Sequence, residues 1–369
     1  MKKIFLFGWF GSENTGDDAL LDQTFSIING INDKSEITVL CNKGFSDNCK
    51  RQNIKYKPKS VKNLWSEIFN NDVFIFGPGG LFPNKNLKKL IFIYYYILFL
   101  KLLKKKVIFL GLGIENCNFD SKLSRFFIKH TVNLIDDCTL RYDYRIYENQ
   151  KNILNKCLVS ADVMFTKDYD IKHAESEDRY VTFALADIFD ENRLKEDFLN
   201  SVSKFAKRII DEGYRIHFLT FTKEKDYELN EQVIKLLGAA KNRCTNFNYQ
   251  EQLDFYLNDI SNSDLLVGMR FHSLVFGINL GKKIVPISYS SKNEEVLYDF
   301  DLLKYSLRVC VSNDKYFCET ICLDDIKLNE IYDEILHSDI CEKKINENLE
   351  KEKEKAKLHE KMLKKYLNP

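Results

Sequence analysis

The sequence predicts an α/β fold with two doubly wound, Rossmann-like domains that face a cleft, followed by a C-terminal helix. Short apolar runs alternate with helical patterns along the chain, which is typical of parallel α/β architecture. A polar, charged stretch from Phe165 to Tyr180 separates two such series. At 369 residues, the chain is also too long for one small core.

The first series predicts an N-terminal α/β domain over residues 1–168. Its strands are expected where short apolar runs end in glycine or polar residues, at Ile4–Phe7, Ile37–Leu40, Val73–Phe76, Val107–Leu110, Cys138–Arg141 and Leu158–Ser160. The carboxyl ends of such strands form the ligand crevice of an open α/β sheet. We expect this domain to carry one side of a ligand site.

The second series predicts a C-terminal α/β domain over residues 178–335, where we expect an anion site. Its strands are expected at Val181–Leu185, Ile216–Thr220, Leu265–Val267 and Ile284–Ile287, with helices through Phe198–Ile210, around Asp226–Leu237 and from about Ser273. Residues 336–369 are predicted to form a charged helix that docks along one domain. Its apolar stripe is interrupted by Glu352 and His359.

Composition limits the classes of partner and compartment. Hydrophobic residues make up 44% and charged residues 30%, and the formal net charge is +1, so bulk charge predicts no nucleic-acid binding. The 10 cysteines include no Cys-x-x-Cys pair, and the closest pair is Cys318 and Cys322. We therefore expect reduced thiols in the cytoplasm and no metal site.

The run from Leu90 to Leu100 is uncharged but only about half as long as a membrane span requires. It is interpreted as a buried helix. The alternative is a helix that lies on a membrane surface, with flanking lysines among anionic headgroups. Weak peripheral contact with the inner face of the membrane is therefore left open.

An anion site is predicted in "GMRFHSLVFGINLG", residues 268–281. Arg270 and His272 follow a strand and precede the helix that starts near Ser273. The first N–H groups of a helix lack internal partners and carry positive potential, so they favour an anion. Arg270 can grip a phosphate or carboxylate, and His272 can donate a hydrogen bond or move a proton. The alternative is a capping histidine beside a surface arginine.

Glycine loops follow several strands of the first series. In "FGWFGSENTGDDALL", Gly11 and Gly16 allow a tight turn, and Asp17 suits a hydroxyl-rich ligand, a general base or a helix cap. The pattern matches neither a Rossmann dinucleotide loop nor a P-loop. Further loops carry Gly79 and Gly80, and Gly111 and Gly113, where a ligand can approach the backbone.

These segments together resemble the polysaccharide pyruvyl transferase family over roughly Ile4 to Leu303. The resemblance is carried by five segments in order: Glu13–Asp17 within the first glycine turn, "GPGGLF", "YYYILFLKLLKKKVIFLGLGI", "SADVMF", and "GMRFHSLVFGINLGKKIVPISYSSKNEEVL" with its Arg-x-His step and its Tyr289–Lys292 turn.

The resemblance implies a GT-B-like fold and a transfer reaction. The pyruvyl group of phosphoenolpyruvate would move to two hydroxyls of a sugar, free or in a lipid-linked oligosaccharide, as a ketal in a surface-glycan precursor. Phosphoenolpyruvate is a co-substrate, and no cofactor is implied. The implied catalytic residues are His272 and Asp17. The implied donor-binding residues are Arg270, His272, Ser273, Tyr289 and Lys292, and the implied acceptor or cleft loops contain Gly11, Asn14, Gly16, Asp17, Gly79, Gly80 and Gly113.

Two departures from the family pattern keep alternatives open. Ala186 stands where the family commonly has an arginine, and Tyr142 separates Arg141 from Asp143 in an altered Arg-Asp step. If that arginine grips the donor, this chain lacks one contact. The alternatives are a GT-B glycosyltransferase that uses a nucleotide sugar and a family member without catalysis.

Overall fold

The computed structural model describes residues 2–42, 53–82, 86–141, 144–169, 179–309 and 324–368. The chain divides into two compact units. The first unit comprises Met1–Ser12, Asp17–Lys167 and Lys351–Pro369, and the second comprises Glu13–Gly16 and Asp168–Glu350. The predicted boundary stretch contains the change of unit after Lys167, although residues 170–178 lie outside the described residues.

The first unit is built on a parallel sheet. Its strands are β1 (Lys3–Phe7), β2 (Glu36–Cys41), β3 (Ile54–Pro58), β4 (Val73–Phe76), β5 (Gly79–Gly80), β6 (Lys106–Gly113), β7 (Asp137–Arg141) and β8 (Cys157–Ser160). The strand order is β3-β2-β1-β4-β6-β7-β8, with β5 paired to β6. The helices are α1 (Thr15–Ile31), α2 (Val61–Asn70), α3 (Leu87–Leu102), α4 (Lys122–Leu134) and α5 (Tyr144–Asn149). Order reverses on the two sides of β1, as in doubly wound sheets.

The second unit is also built on a parallel sheet. Its strands are β9 (Tyr180–Ala184), β10 (Arg215–Leu219), β11 (Cys244–Phe247), β12 (Leu265–Gly268), β13 (Ile284–Ser288) and β14 (Leu307–Arg308), in the order β11-β10-β9-β12-β13-β14. Its helices are α6 (Asn192–Asp211), α7 (Lys225–Leu236), α8 (Leu253–Asn262), α9 (Phe271–Asn279), α10 (Ser291–Asp299) and α11 (Asp325–Leu336). Two separate parallel sheets confirm the predicted α/β class.

Helix α3 buries only one of its faces. Leu90, Tyr96 and Ile97 lie in the core, and the Tyr96 hydroxyl donates to the Leu64 carbonyl at 3.0 Å. Phe92 and Tyr95 remain 41% and 59% exposed. The sequence interpretation of a buried helix therefore holds for one face of α3 and not for the other.

The C-terminal helix differs from the prediction in extent and in what it buries. Helix α12 (Ile340–Leu367) starts after α11, and its residues from Lys351 onward belong to the first unit. Glu352 and His359, expected to interrupt the apolar stripe, are 1% and 0% exposed. The predicted C-terminal helix is confirmed. Its two polar residues are buried with the apolar stripe, because a buried polar side chain is tolerated when it is hydrogen-bonded.

Both ring nitrogens of the buried His359 side chain have hydrogen-bond partners within the first unit. Its Nδ1 lies 2.9 Å from the Thr139 hydroxyl, and its Nε2 lies 2.9 Å from the Ala161 carbonyl and 3.1 Å from the Ser160 hydroxyl. Burial lowers the pKa of His359 to about 4, although the Ala161 carbonyl and the nearby Asp162 charge oppose that shift. The imidazole is therefore neutral at pH 7 and fixes α12 to the middle of β7 and to the end of β8.

Candidate active site

The turn between β12 and α9 carries the predicted Arg-x-His step. The backbone N–H groups of Met269 and Arg270 both donate to the Ala184 carbonyl at the end of β9, at 3.0 and 3.2 Å. Arg270 is the N-cap of α9, and His272 lies in the first turn. Because β9 and β12 are neighbouring parallel strands, these bonds place both side chains at the carboxyl edge of the sheet.

Arg270 is engaged by a carboxylate of its own unit. Its Nε donates to Asp226 Oδ2 at 2.9 Å, and its Nη2 donates to Oδ1 of the same group. The Arg270 side chain is 15% exposed and that of Asp226 is 0% exposed. Burial by itself lowers the pKa of Arg270, but Asp226, together with a hydrogen bond to Tyr289, raises the pKa above its ordinary value. The guanidinium is thus a fixed cation held by a bidentate ion pair.

The Asp226 carboxylate also accepts hydrogen bonds from two further loops. Its Oδ2 accepts from the Thr222 backbone N–H at 2.8 Å, and its Oδ1 accepts from the Asp187 backbone N–H at 3.2 Å. These loops follow β10 and β9. The Arg270–Asp226 pair therefore ties together the loops after three neighbouring strands of the second sheet.

The opening motif lies against the same loops. The backbone N–H of Thr15 donates to the Phe221 carbonyl at 2.9 Å, and the N–H of Lys223 donates to the Glu13 carbonyl at 3.1 Å. Asn14 donates from Nδ2 to the Thr222 hydroxyl at 3.1 Å and accepts from the Gly16 N–H at 3.0 Å. Residues 13–16 thus form a short antiparallel bridge with the segment after β10.

His272 packs directly on Gly16. A Cβ built on Gly16 would lie 1.8 Å from His272 Nδ1, a distance that no real Cβ contact allows. The ring also lies 5.0 Å from the ring of Phe271 and 6.2 Å from that of Phe276, between centroids. Two motifs that are far apart in sequence, Asn14–Gly16 and Arg270–His272, therefore meet within the second unit.

The remaining donor-side candidates surround this turn. Ser273 is fully buried, and its hydroxyl donates to the Arg270 carbonyl at 2.6 Å, so it braces the turn. Tyr289 follows β13 and bonds Arg270. Lys292 lies in the first turn of α10 and is half-buried. Helices α9 and α10 follow neighbouring strands, so their N-termini lie at the same edge of the sheet.

Asp17 and Gly11 belong to the first unit. Asp17 is half-buried in the first turn of α1. Gly11 has φ of 66°, which favours glycine, and its N–H donates to Asp18 Oδ1 at 3.3 Å. Burial lowers the pKa of Lys59, while the charges of Asp17 and Asp18 oppose that shift. Asp17 therefore lies in a pair of carboxylates beside a lysine.

The other glycines, which the sequence analysis expected in loops, lie in strands of the first unit, with Gly79 and Gly80 in β5 and Gly113 at the end of β6. Gly79 has φ of 111°, and nothing lies within 4 Å of a Cβ built on Gly80. A Cβ on Gly113 would lie 3.1 Å from Arg141 Nε, so this glycine makes room for a guanidinium. Arg141 pairs through Nη1 with Asp162 Oδ2 at 2.7 Å, and the Asp162 side chain is fully buried.

The departures from the family pattern have partial structural accounts. Asp162, from the "SADVMF" segment, is the carboxylate partner of Arg141. Tyr142 and Asp143 lie outside the described residues, as do Cys318 and Cys322. Ala186 is fully buried and precedes Asp187, whose backbone N–H donates to Asp226. Position 186 is therefore adjacent in sequence to the Arg270–Asp226 network.

The part of the chain that the structure describes contains no group of three or more His, Cys, Asp or Glu side chains arranged to hold a metal ion. Among the same residues, no helix combines the length and the apolar character needed to cross a bilayer.

Comparison with known families decides the assignment. The family model described as polysaccharide pyruvyl transferase matches residues 14–291, which contain Asn14, Gly16, Arg270 and His272. The chain belongs to the polysaccharide pyruvyl transferase family. It is accordingly a transferase. No curated protein matches it.

Solved structures confirm the GT-B-like fold. The UDP-GlcNAc 2-epimerase of Methanocaldococcus jannaschii has a TM-score of 0.56 and 13% identity, over 91% of this chain and 92% of that chain. Anabaena Alr3699/HepE in complex with UDP has a TM-score of 0.57 and 9% identity, over 100% and 99%. A variant of Os79 from O. sativa in complex with UDP has a TM-score of 0.61 and 9% identity, over 99% and 100%.

The sequence did not indicate that Asp226 and Thr222 belong to the site. Asp226 stands at the start of a predicted helix, where an acidic residue is ordinarily explained by the helix dipole. No local pattern indicates that this carboxylate meets Arg270, which is 44 positions away. The Thr222 contact with Asn14 spans 208 positions and has no sequence signal either.

Proposed function

We propose that the protein transfers the pyruvyl group of phosphoenolpyruvate to two hydroxyls of one sugar, giving a cyclic ketal and inorganic phosphate. The observation that carries the proposal is the packing of His272 on Gly16, because it joins the family's opening motif to its Arg-x-His motif within one unit. An ionisable side chain is thereby held at the start of α9, where the helix favours an anion.

Atoms and protons are conserved in the proposed reaction. Two C2–O bonds form between the donor and the sugar, and the C2–O bond to phosphate breaks. One hydroxyl proton reaches the C3 methylene, which becomes a methyl group, and the other leaves on phosphate. The chemistry therefore needs an acid for C3, a base for the sugar hydroxyl, and positive charge for the leaving group.

We assign the acid to His272 and the base to Asp17. Positive charge for the phosphate comes from Lys292 and from the first N–H groups of α9 and α10. For Arg270, which the sequence analysis predicts to bind the donor, we also propose a positioning role. Since two of its donors bind Asp226, it acts mainly as a fixed cation that holds the loops in place.

The experiment measures phosphate release from phosphoenolpyruvate in the presence of a panel of sugars and lipid-linked sugars. His272→Ala should lower turnover by about 10²–10⁴-fold if the residue transfers a proton. His337→Ala, an exposed histidine of the same unit, is the matched control and should keep the wild-type rate.

A second arm tests the glycosyltransferase alternative, for which the buried Ala186 is the specific observation. The thermal midpoint is measured with phosphoenolpyruvate and with UDP, the ligand in two of the structurally similar proteins. Stabilisation by phosphoenolpyruvate supports the pyruvyl transfer. Stabilisation by UDP alone would replace it with nucleotide-sugar chemistry.

A further inference from the structure

The first unit contains a cavity of about 240 Å³ that the assigned residues of the second unit do not explain. It lies at the carboxyl ends of β1 and β4 and against α3. Its walls include the rings of Trp9, Phe76, Phe92 and Tyr96. The volume is below the roughly 300–1,000 Å³ typical of pockets that enclose a whole small molecule. It suits part of a larger ligand.

The walls of the cavity are apolar, and this restricts what can enter. Besides the aromatic rings, aliphatic side chains such as Ile93 and Leu81 line it. A sugar inside would lose hydrogen bonds to water that such walls cannot replace, at about 1–3 kcal/mol for each unpaired group. A hydrocarbon chain gains free energy in the same place, because its apolar surface leaves water.

Positive charge lies along the lining. Lys89 is exposed in the first turn of α3, where the helix dipole adds positive potential. Lys59 contributes a second cation, with its Nζ 5.8 Å from the centroid of the Trp9 ring. Lys59 is already hydrogen-bonded to the Phe10 carbonyl at 3.0 Å, so Lys89 is the better partner for an incoming anion.

We propose that this cavity binds the end of an apolar chain whose anionic head group lies at Lys89. The ligand class is a long-chain phosphate. Resting on the proposed function, the chain belongs to the lipid carrier of the acceptor sugar, and it anchors that sugar to the first unit.

Trp9 provides a direct probe of the cavity. The chain has two tryptophans, Trp9 and Trp65, so Trp65→Phe leaves Trp9 as the sole reporter. Trp9 is 53% exposed, and its Nε1 donates to the Gly80 carbonyl at 2.6 Å. Farnesyl phosphate and dodecyl phosphate are titrated below their critical micelle concentrations. We expect a saturable blue shift with a long-chain phosphate, weaker binding of farnesol, and none with inorganic phosphate.

Matched variants in the Trp65→Phe background test the two parts of the ligand. Lys89→Glu should weaken binding at least about fivefold, whereas Lys88→Glu, on the same helix turn but outside the lining, should not. Phe92→Glu should abolish saturation, whereas Tyr95→Glu, also exposed on α3, should preserve it. Absence of a saturable shift, or equal binding by all four variants, would overturn the proposal.

The two probes separate the sources of the chain, and neither needs a donor or a sugar. Tighter binding of farnesyl phosphate supports an isoprenoid carrier. Equal or tighter binding of dodecyl phosphate supports the cavity as a chain-phosphate site but overturns the carrier assignment. If the chain binds while phosphoenolpyruvate is never consumed, the proposed function fails and the cavity assignment stands.

Discussion

Replacing Arg270 by alanine should lower the free energy of unfolding of the second unit, even when no ligand is bound. The substitution leaves the carboxylate of Asp226 fully buried, with only the N–H groups of Thr222 and Asp187 as the partners described above. Removing one partner of a buried ion pair costs about 3–5 kcal/mol. For a unit of this size, each kcal/mol lowers the thermal midpoint by about 2–4 °C, so we expect a decrease of about 6–20 °C.

The assay follows the two units with different signals. Both tryptophans lie in the first unit, so tryptophan fluorescence reports on that unit, while far-UV circular dichroism reports on both. The control is Lys204→Ala. Its ion pair with Asp325 belongs to the same unit as Arg270, but the side chains are 68% and 35% exposed. An exposed pair contributes about 0–1 kcal/mol, so the control should unfold nearly as the wild type does.

A double variant tests the reasoning more sharply than either single variant. Arg270→Gln with Asp226→Asn leaves no buried charge, so it should lose less stability than the two single changes added together. If Arg270→Ala costs less than about 1 kcal/mol, or if the double variant is simply additive, the ion pair does not hold the loops. The folded double variant is also the proper background for measuring whether Arg270 contributes to donor affinity.

Two further predictions concern Gly16 and His359. Gly16→Ala should displace the His272 ring, because the added Cβ would lie 1.8 Å from Nδ1 of that ring. We expect turnover to fall at least about tenfold. Gly30→Ala is the control in the same helix, and it should leave the rate unchanged because no atom lies within 4 Å of a Cβ built there. The pKa of His359 is about 4 in the folded protein and 6.5 for the free side chain. Between pH 6.5 and pH 4 the unfolded state therefore binds more protons than the folded state, so the free energy of unfolding falls as the pH falls. Relative to His359→Gln, the wild type should lose about 2 kcal/mol of its free energy of unfolding between pH 7.5 and pH 5, as measured by urea unfolding.

The central strands could be predicted because their residues carry the signal locally. Val73–Phe76 is an unbroken apolar run, and the structure places β4 at the same residues, fully buried. Two of the strands at the sheet edges, β3 and β11, lack this signal. In β3, "IKYKP" alternates lysine with half-buried residues, and β11 has no fully buried residue, so neither run stands out from a loop. Both were missed for that reason.

The chemistry of the site was predictable only in part. Arginine and histidine after an apolar run indicated the turn that follows β12, and the structure places this turn at the carboxyl edge of the second sheet. The partners of those residues depend on the strand order, which a single sequence does not specify. Asp226 reaches Arg270 because β10, β9 and β12 are neighbours, and Arg141 reaches Asp162 because β7 and β8 are.

Residues 13–16 of the opening motif belong to the second unit, and this changes how the glycine of that motif is interpreted. Glycines in such turns are ordinarily explained by the approach of a ligand to the backbone. Gly16 instead accommodates the His272 ring, and Asn14 fixes the turn by accepting from the Gly16 N–H and donating to Thr222. An Asn-x-Gly step and a distant histidine then depend on each other, because a side chain at position 16 would displace the imidazole. We therefore expect a sequence that keeps the histidine but replaces this glycine to fold with the imidazole displaced from its position beside residue 16.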